Sequence, residues 1–305
     1  MAQKQRLRAL VRHHRPAAGI VRNLCSAIGT LTATQLAAAA SYVARARTGS
    51  RRSPIGHCPP TVPKLDARTA YDVQDALHEI LVREPEQGQI VTKIGCTTAV
   101  MQEFLGMTHP CSGAIFESTL RHDDGTFTCA GADKAVRRRG VECEIAVRLG
   151  ENIVPHVDGS PHTRASIERA VSECMAAIEV VDDRYFDFEA RVPGWETWVA
   201  DDFFGAGCVL ASPAESWRDL DLAAVEGEMK INGESVGRGL GADIINGHPF
   251  EALVWLANHK ASRGQTLQAG QIVMLGSVVQ TNWVQSGDVV EVTVAGLGSA
   301  TARFV

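Results

Sequence analysis

The chain has 305 residues, of which 45% are hydrophobic, and this length is enough for one large domain or two modest ones. No apolar run approaches the roughly 18 to 20 residues that a membrane-spanning helix needs, so we expect no membrane span. The eight cysteines are dispersed without a C-x-x-C pair. Scattered thiols favour a reducing compartment, and we therefore expect a cytoplasmic protein.

The net charge of −5 hides a strong asymmetry along the chain. Residues 1–65 contain eleven Lys or Arg and no acidic residue, whereas the remainder has nineteen basic and thirty-five acidic residues, a net charge of −16. A basic start is typical of an organelle-targeting peptide, a nucleic-acid contact or a start codon placed too far upstream. Because residues 1–30 lack sustained periodicity, we predict a disordered extension there. The acidic body argues against nucleic-acid binding.

Two helices are predicted after this extension, in an N-terminal helical region that we place at residues 31–84. The segment "ATQLAAAASYVARARTG" has high helix propensity, and Gly49 offers a stop. After a connector rich in Pro and Arg, "DARTAYDVQDALHEILVREP" carries apolar residues at the i, i+3, i+4, i+7 spacing. This pattern predicts an amphipathic helix that begins at Asp66 and ends before Pro85. The remainder, residues 85–305, is predicted to be β-rich.

Lys93 interrupts an apolar strand in "QIVTKIGCTT". Lysine is rarely buried without a partner, so one interpretation is an edge position from which the side chain reaches solvent. The other interpretation requires a metal site nearby. There, Lys93 would stabilise developing enolate charge or transfer a proton.

The strand "VECEIAVRLG" places Glu142 and Glu144 on one face, because residues two apart in a strand project to the same side. A half-exposed strand normally shows such a polar row, so the pair alone does not define a site. The alternative is a divalent cation that removes the repulsion between the two carboxylates.

A third carboxylate favours the metal interpretation. The segment "HTRASIERAVSECMAAI" has apolar residues at Ile167, Ala170, Cys174 and Ile178, which predicts a helix packed across a sheet. Glu179 follows directly, at the head of an apolar β-like run where a lone carboxylate would be costly to bury. Two carboxylates from one strand and one from a returning element would leave the other positions around Mg²⁺ to water or a chelating substrate.

Other motifs predict architecture. The Asn-Gly pair in "INGES" predicts a hairpin turn, and "PFEALVWLANHKAS" predicts a helix with Pro249 in its first turn. "GRGLGAD" lacks the strand and helix of a dinucleotide-binding motif. The aromatic residues Trp195, Trp198, Phe203 and Phe204 predict either core packing or a substrate pocket and its lid. His109 and His248 are weak candidates for catalysis, because "GHP" before a helix is typical of a cap.

Several motifs in the same order resemble the 2-keto-4-pentenoate hydratase and 4-oxalocrotonate decarboxylase family, within the fumarylacetoacetate hydrolase superfamily. The motifs are "TKIGCTTAVMQEFLGMTHPCSGAIFEST", "VECEIAV", "AAIEVVDDRY", "WVADDFFGAG", "MKINGESVGRG", "GHPFEALVWLA", "LQAGQIVMLGS" and "SGDVVEVTVAGLGSATARF". They cover about residues 70 to 305. The resemblance implies an α+β fold, a mixed and mostly antiparallel β-roll with an N-terminal helical region, in which residues 85–305 form a metal-binding catalytic domain.

The resemblance also implies roles for individual residues. Glu142, Glu144 and Glu179 match the family's ligands for Mg²⁺ or Mn²⁺, and Lys93 matches its active-site lysine. Ser277, in "MLGSV", falls where a strand-end segment approaches the substrate carboxylate. Asp202 stands where many members have Asn, and we place it among the substrate-binding residues with its role open.

Cys111 is a departure from the family pattern. Many hydratases of the family have an Asp in a P-D-x-G sequence that is thought to assist proton transfer, and "HPCSGAIF" presents Cys111 there. We keep Cys111 as a candidate catalytic residue. The alternative is a small buried hydrophobic side chain, since a thiol is a useful proton carrier only where its pKa is low.

The function implied is a divalent-metal-dependent hydro-lyase that acts on a small unsaturated 2-oxo acid, such as 2-hydroxypenta-2,4-dienoate, in aromatic compound catabolism. The alternatives are a decarboxylase or carbon-carbon hydrolase of the same superfamily, or a catalytically silent paralogue that binds a partner decarboxylase. A homo-oligomer is expected, and a partner decarboxylase or hydratase is an open expectation.

Overall fold

The computed structural model describes residues 30–48, 54–57, 61–82, 90–129 and 138–305. The predicted basic extension therefore lies outside the described residues except for Thr30, and so does Gly49, the expected stop of the first helix. The expected boundary between the helical region and the β-rich remainder, at residues 84 and 85, also lies outside them. Within the described ranges, no helix has the length and apolar character needed to cross a membrane.

The two predicted N-terminal helices are present as α1 (Ala33–Thr48) and α2 (Ala67–Leu81). Helix α2 begins at a reciprocal cap. Asp66 Oδ1 accepts the Thr69 N–H at 2.8 Å, and the Thr69 hydroxyl accepts the Asp66 N–H at 2.9 Å. Such a cap satisfies backbone donors that a helix N-terminus otherwise leaves unpaired. The buried face of α2 packs on small residues of α1 and confirms the amphipathic prediction.

Four further α-helices, four short 3-10 helices and twelve strands complete the described secondary structure. The α-helices are α3 (Ala99–Leu105), α4 (Arg164–Ala170), α5 (Trp195–Ala200) and α6 (Pro249–Ser262). The strands are β1 (Ile90–Gly95), β2 (Cys111–Phe116), β3 (Leu120–His122), β4 (Asp124–Phe127), β5 (Arg139–Leu149), β6 (Val171–Asp182), β7 (Gly205–Leu210), β8 (Glu226–Ile231), β9 (Glu234–Leu240), β10 (Ile272–Trp283), β11 (Val289–Val294) and β12 (Gly298–Phe304).

In the described part of the chain, the strands form one sheet in the order β2-β1-β10-β5-β6-β7-β3-β4-β12-β11-β8-β9. The pairs β1–β10, β3–β7 and β4–β12 are parallel, and the other neighbouring pairs are antiparallel. Strand β6 also contacts β11 and β12, which are not its neighbours in the sheet, so the sheet curls over its own face. The predicted mixed, mostly antiparallel β-roll is thereby confirmed.

One predicted helix was only partly correct. The helix expected over residues 162–178 ends at Ala170, and Cys174 and Ile178 lie in the long strand β6. In β6, Cys174, Ala176 and Ile178 face the main core, while Met175 and Ala177 are buried on the opposite face. A strand buried on both faces shows no polar alternation, and its apolar run therefore satisfies a helical spacing equally well.

The hairpin and the last helix agree with their sequence motifs. Strands β8 and β9 meet at Asn232 and Gly233, both with positive φ, as the tight turn of an Asn-Gly hairpin requires. Helix α6 begins with Pro249, and His248 Nδ1 accepts the Phe250 N–H at 3.1 Å. His248 is therefore a helix cap, as the "GHP" sequence predicted.

Buried residues form two large cores and one small cluster. The main core lies between the curled sheet and helices α4 and α6, and the second core joins α1, α2 and α5 to strand β2. The small cluster contains Ala146 and Ala177, which continue along β5 and β6 on the same faces as Glu144 and Glu179. The candidate carboxylates therefore extend from a dry apolar patch inside the roll.

Candidate metal site

Strand pairing brings the three candidate glutamates together. Glu142 of β5 lies directly opposite Glu179 of the antiparallel strand β6, and Glu144 projects from the same face of β5 two residues further on. One carboxylate oxygen from each residue lies within 4.8 Å of the other two. Glu144 is 1% exposed and Glu179 is 0% exposed, while Glu142 is partly accessible to solvent. The site is thus a buried cluster that opens to solvent at Glu142.

The third strand of the site, β10, orients two of the carboxylates. The Thr281 hydroxyl donates to Glu142 Oε1, and the Gly276 N–H donates to Glu144 Oε2 at 3.0 Å. Gly276 has φ of 115°, and a Cβ there would lie 2.3 Å from the Thr97 hydroxyl. Only glycine fits this close approach, which holds the backbone donor against Glu144.

Several carboxylate oxygens in the cluster have no hydrogen-bond donor. Among the described residues, Glu144 Oε1 and both oxygens of Glu179 accept no hydrogen bond, although they are buried, and of these three atoms Glu179 Oε1 has an ionic contact with Lys93. A buried carboxylate oxygen without a hydrogen-bond donor is costly, so such atoms are suited to bind a cation or ligand. Three converging carboxylates with free oxygens are a donor set that suits a hard divalent cation.

Lys93 supplies the positive charge that contacts this cluster within the described residues. Its Nζ lies 3.1 Å from Glu179 Oε1 in an ion pair without hydrogen-bond geometry, and the side chain is 2% exposed. The ammonium also lies 4.8 Å from the centre of the Phe203 ring, a cation–π distance. A Cβ at Gly95 would lie 2.6 Å from that ring and 3.2 Å from Lys93 Nζ, so the glycine of the K-I-G sequence makes room for the lysine.

The charges of the cluster are not balanced. Burial and the charge of Glu179 raise the pKa of Glu142 to about 7. Burial and the charges of Glu179 and Glu142 also raise the pKa of Glu144 well above its usual range. Burial lowers the pKa of Lys93, but the carboxylates of Glu179 and Glu142 outweigh that effect and raise it overall. Three carboxylates against one ammonium favour a further cation.

Cys111 lies near this cluster as an uncharged thiol. It is fully buried at the start of β2, opposite Gly95, and it packs in the second core. Burial raises the pKa of the Cys111 thiol well above its usual range, although Lys93 opposes the shift. A thiol in this state is a poor proton carrier at neutral pH, so the surroundings support the interpretation as a small buried side chain. Its catalytic role stays a prediction.

Asp202 belongs to a second set of buried acidic side chains. Its Oδ2 lies 2.6 Å from Arg47, and its Oδ1 lies 2.6 Å from His78 Nε2 and accepts the Ala114 N–H at 2.9 Å. Burial opposes ionisation, but the contacts with His78 and Arg47 outweigh it and lower the pKa of Asp202. Both carboxylate oxygens therefore have partners on α1, α2 and β2, and a substrate contact by Asp202 stays a prediction.

The neighbouring Asp201 is held mainly through Oδ2, because its buried Oδ1 accepts no hydrogen bond from a described residue and lies 3.6 Å from Arg47. Its carboxylate lies 3.0 Å from Arg184 and accepts the Tyr185 hydroxyl at 3.1 Å. The next three residues, Asp202 to Phe204, all have positive φ, which is unusual for residues with side chains. This turn directs Asp202 toward the N-terminal helices and places Phe203 against Lys93.

Ser277 lies on β10 opposite Glu144, next to Gly276. Its hydroxyl lies 2.5 Å from the Val279 carbonyl oxygen and 3.2 Å from the Cys143 carbonyl oxygen. The side chain is partly exposed, so it lies beside the cluster in a position that a ligand can reach. Contact with a substrate carboxylate stays a prediction.

The aromatic residues form a packed group. Trp198, Phe203 and Phe204 are buried and contact one another in the second core. His109 stacks on Trp255 and lies edge-on to Trp195. Core packing is therefore the main role of Trp198, Phe203 and Phe204. Among these three, Phe203 also contacts Lys93.

Sequence reasoning missed four residues that shape these sites: Thr281, Gly276, Arg47 and His78. Thr281 and Gly276 lie more than 130 residues from the glutamates they contact, and Arg47 lies 155 residues from Asp202. No local spacing links such partners. The apolar run that forms β10 could have indicated a strand through Gly276 and Thr281, but not the glutamates that they contact.

Comparisons with known proteins agree with the geometry. The family model described as fumarylacetoacetate (FAA) hydrolase C-terminal matches residues 116–305. A 2-keto-4-pentenoate hydratase of Burkholderia vietnamiensis is 33% identical over 80% of this chain and 88% of its own, and one of Paraburkholderia phymatum is 32% identical over 87% and 96%. The solved 4-oxalocrotonate decarboxylase from Pseudomonas putida G7, complexed with magnesium and adipate, has a TM-score of 0.79 at 26% identity, covering 90% of this chain and 99% of its own.

Proposed function

The chain belongs to the fumarylacetoacetate hydrolase family, and on that premise we propose that it is a divalent-metal-dependent hydro-lyase for a small unsaturated 2-oxo acid, such as 2-hydroxypenta-2,4-dienoate. The observation that carries the proposal is the buried cluster of three glutamates with unpartnered oxygens beside Lys93. Its relatives named as 2-keto-4-pentenoate hydratases support hydration as the reaction and aromatic compound catabolism as the setting.

Glu142, Glu144 and Glu179 would hold the cation, and we favour Mg²⁺, with Mn²⁺ as the alternative. The donor set consists of carboxylate oxygens alone, which hard cations prefer. When bound, such a cation supplies a Lewis acid that offsets the negative charge gained by the oxygens of a 2-oxo acid. Thr281 and Gly276 orient two of the ligands, so the carboxylates would be positioned before the cation arrives.

Lys93 would hold and move the proton. Its ammonium lies against Glu179 and is held there by the Phe203 ring, so it can donate to a substrate carbon or oxygen placed beside the glutamates. Addition of water to the conjugated alkene requires one proton to reach the substrate and one to leave the water. Phe203 and the apolar residues around it keep other water away from the proton that Lys93 holds.

Decarboxylation is the second candidate. Two observations favour it: the structural match to 4-oxalocrotonate decarboxylase, and Cys111 at the position where many hydratases have an acidic residue. Both reactions act on a small unsaturated 2-oxo acid, so the glutamates and Lys93 would serve either one. The group that delivers or removes the second proton separates them.

The test is turnover of both substrates by the same preparation. Hydration of 2-hydroxypenta-2,4-dienoate is followed by loss of its ultraviolet absorbance, and decarboxylation of 4-oxalocrotonate by release of carbon dioxide. We expect hydration with Mg²⁺ and none with EDTA. If carbon dioxide release is the only reaction observed, the proposed function changes from hydratase to decarboxylase. If neither compound is turned over, the catalytically silent paralogue is the function that fits.

Assembly stays a proposal as well. We expect a homo-oligomer, and association with a partner decarboxylase or hydratase is an additional expectation. Sedimentation of the purified protein, alone and mixed with each partner enzyme, measures both. A single monomeric species would contradict the first expectation.

A further inference from the structure

A polar pocket of about 340 Å³ lies beside β1 and β2. Thr92 and Ser112 line it. In the chain, Thr92 precedes Lys93 and Ser112 follows Cys111, and both Lys93 and Cys111 lie near the glutamates. Because successive residues of a strand project to opposite faces, Thr92 and Ser112 lie on the face away from the carboxylates. The other walls come from helix α2, helix α6 and the segment that follows α6. We call this cavity the rear pocket.

Lys260 of helix α6 lines the rear pocket with a charge that lacks an ionic partner. Lys260 forms no ion pair with any described residue. Its hydrogen bond goes to Gln265 Oε1 at 3.1 Å, and Asp75 and Asp202 act on it only from a longer distance. Gln265 in turn donates to Asp75 at 3.1 Å, so the nearest acid is separated from Lys260 by a neutral amide. Burial lowers the pKa of Lys260, which is the expected response of an ammonium that lacks a counter-ion.

Ser112 provides a second group without a partner. It is 2% exposed, and its hydroxyl has no hydrogen-bond partner within 3.5 Å among the described residues, although the Tyr71 hydroxyl lies close to it. Its backbone is fully engaged, since its N–H donates to the Tyr71 hydroxyl and its carbonyl accepts from Gln74. A buried hydroxyl on the wall of a cavity is costly without a partner, so it indicates a polar group inside the cavity.

The walls of the rear pocket carry no acidic side chain among the described residues. Asp202 does not line the pocket. Its Oδ1 lies 2.6 Å from Nε2 of His78, which does line it. The lining thus offers one ammonium, hydroxyls and amides. The nearest carboxylates, Asp75 and Asp202, lie outside the lining, and each already contacts a cationic side chain, Arg263 and Arg47 respectively. A single positive charge among neutral donors matches a monoanion with two acceptor oxygens.

We propose that the rear pocket binds a small monocarboxylate anion, through Lys260 Nζ and Ser112 Oγ, independently of the glutamate cluster. The pocket volume accommodates a short aliphatic chain behind the carboxylate, where Leu267 and Ala114 provide an apolar wall. The proposal does not rest on hydratase activity, because none of its residues is a candidate metal ligand.

Butyrate is the probe, and saturation-transfer difference NMR with EDTA in the buffer measures its binding. The full-length protein is used, and Glu144→Gln removes carboxylate binding through any residual metal. We expect saturable butyrate binding that Glu144→Gln leaves unchanged. Butyramide, which has the same shape without the charge, is expected to bind at least about 10-fold more weakly, because it loses the charge-assisted contact.

Two variants assign the binding to the rear pocket. Lys260→Met is expected to weaken butyrate binding about 10-fold or more, whereas Lys230→Met on the surface hairpin leaves it unchanged. Ser112→Ala is the milder variant, with an expected loss of about 3-fold, and it remains informative if Lys260→Met fails to fold. Absence of butyrate binding, equal binding of butyramide, or binding that neither variant weakens would overturn the proposal.

Discussion

Two groups of buried acidic side chains differ in how their charge is balanced. The glutamate cluster (Glu142, Glu144 and Glu179) contacts one cation, Lys93. The aspartate pair (Asp201 and Asp202) contacts Arg47, Arg184 and His78 and also accepts hydrogen bonds from Tyr185 and Ala114.

The pKa shifts follow this difference most clearly at two residues. Burial and neighbouring glutamates raise the pKa of Glu144 well above its usual range, whereas the contacts with His78 and Arg47 overcome burial and lower the pKa of Asp202. Burial still raises the pKa of Asp201, against the opposing charges of Arg184 and Arg47. A buried carboxylate with enough partners serves the fold, and one that lacks them is available to a ligand.

Removing the one cation of the glutamate cluster is the change with the largest expected effect. Lys93→Met should lower kcat about 10²- to 10⁴-fold, because the variant lacks the group that holds the proton. Metal binding should be retained, since the lysine is not a ligand. Rates of 2-hydroxypenta-2,4-dienoate hydration and a calorimetric Mg²⁺ titration measure the two effects. An unchanged kcat would remove Lys93 from the mechanism.

Breaking the aspartate pair should affect stability. Asp202→Ala leaves Arg47, His78 and the Ala114 N–H without their shared acceptor, and we expect a loss of about 3–5 kcal/mol in the free energy of unfolding. Urea denaturation measures the loss, and Mg²⁺ should not reverse it. Asp124→Ala, which removes an exposed ion pair with Arg303, is the matched control and should have little effect.

The pH dependence of this contribution has a definite sign. A carboxylate whose pKa is lowered by folding stabilises the protein at every pH above its unfolded pKa of about 4. The stabilisation by Asp202 should therefore be constant at neutral pH and decline as the pH falls below about 4. Urea denaturation of wild type and Asp202→Ala at pH 7 and pH 3 checks this, and a difference that grows at pH 3 would contradict it.

Thr281→Val tests whether the hydrogen bond from Thr281 orients Glu142 for metal binding. The valine keeps the shape of the side chain and removes the hydroxyl that donates to Glu142. Loss of such an orienting hydrogen bond typically weakens metal affinity about 10- to 100-fold. The Mg²⁺ dissociation constant from calorimetry is the measurement. Thr293→Val, on the exposed face of β11, is the control, and equal affinities in both variants would assign no role to Thr281.

Cys111→Ala has the smallest expected effect. A neutral, fully buried thiol acts as a small hydrophobic side chain, so kcat should stay within about threefold of the wild-type value. If Cys111 transfers a proton, its loss should instead lower kcat about 100-fold or more. Steady-state kinetics with 2-hydroxypenta-2,4-dienoate separates these outcomes.

The sequence allowed accurate prediction where the determining contacts are local. Helix α2 was identified from its apolar spacing and its Asp66 cap. The placement of Glu142 and Glu144 on one face of β5 followed from strand geometry. Glu179 was expected on a returning element, and β6 supplies it. The intervening helix was predicted to extend too far, into residues that form β6, because β6 is buried on both faces and has no polar alternation.

The partners of the acidic side chains could not be predicted in the same way. Arg47 and His78 lie 155 and 124 residues from Asp202, and Thr281 lies 139 residues from Glu142. Such contacts depend on how α1, α2 and β10 are arranged around the roll. For the same reason, the sequence could not reveal that Asp202 already has partners for both of its oxygens, whereas the glutamates do not.

The most direct test of the glutamate cluster is a calorimetric titration with oxalate, a mimic of a 2-oxo acid, with and without Mg²⁺. Wild type is compared with Glu144→Gln and with Glu173→Gln, a control at a half-exposed position of β6. We expect oxalate to bind wild type and Glu173→Gln only when Mg²⁺ is present, and not to bind Glu144→Gln. Oxalate binding that does not need Mg²⁺, or that persists in Glu144→Gln, would contradict a metal site at the three glutamates.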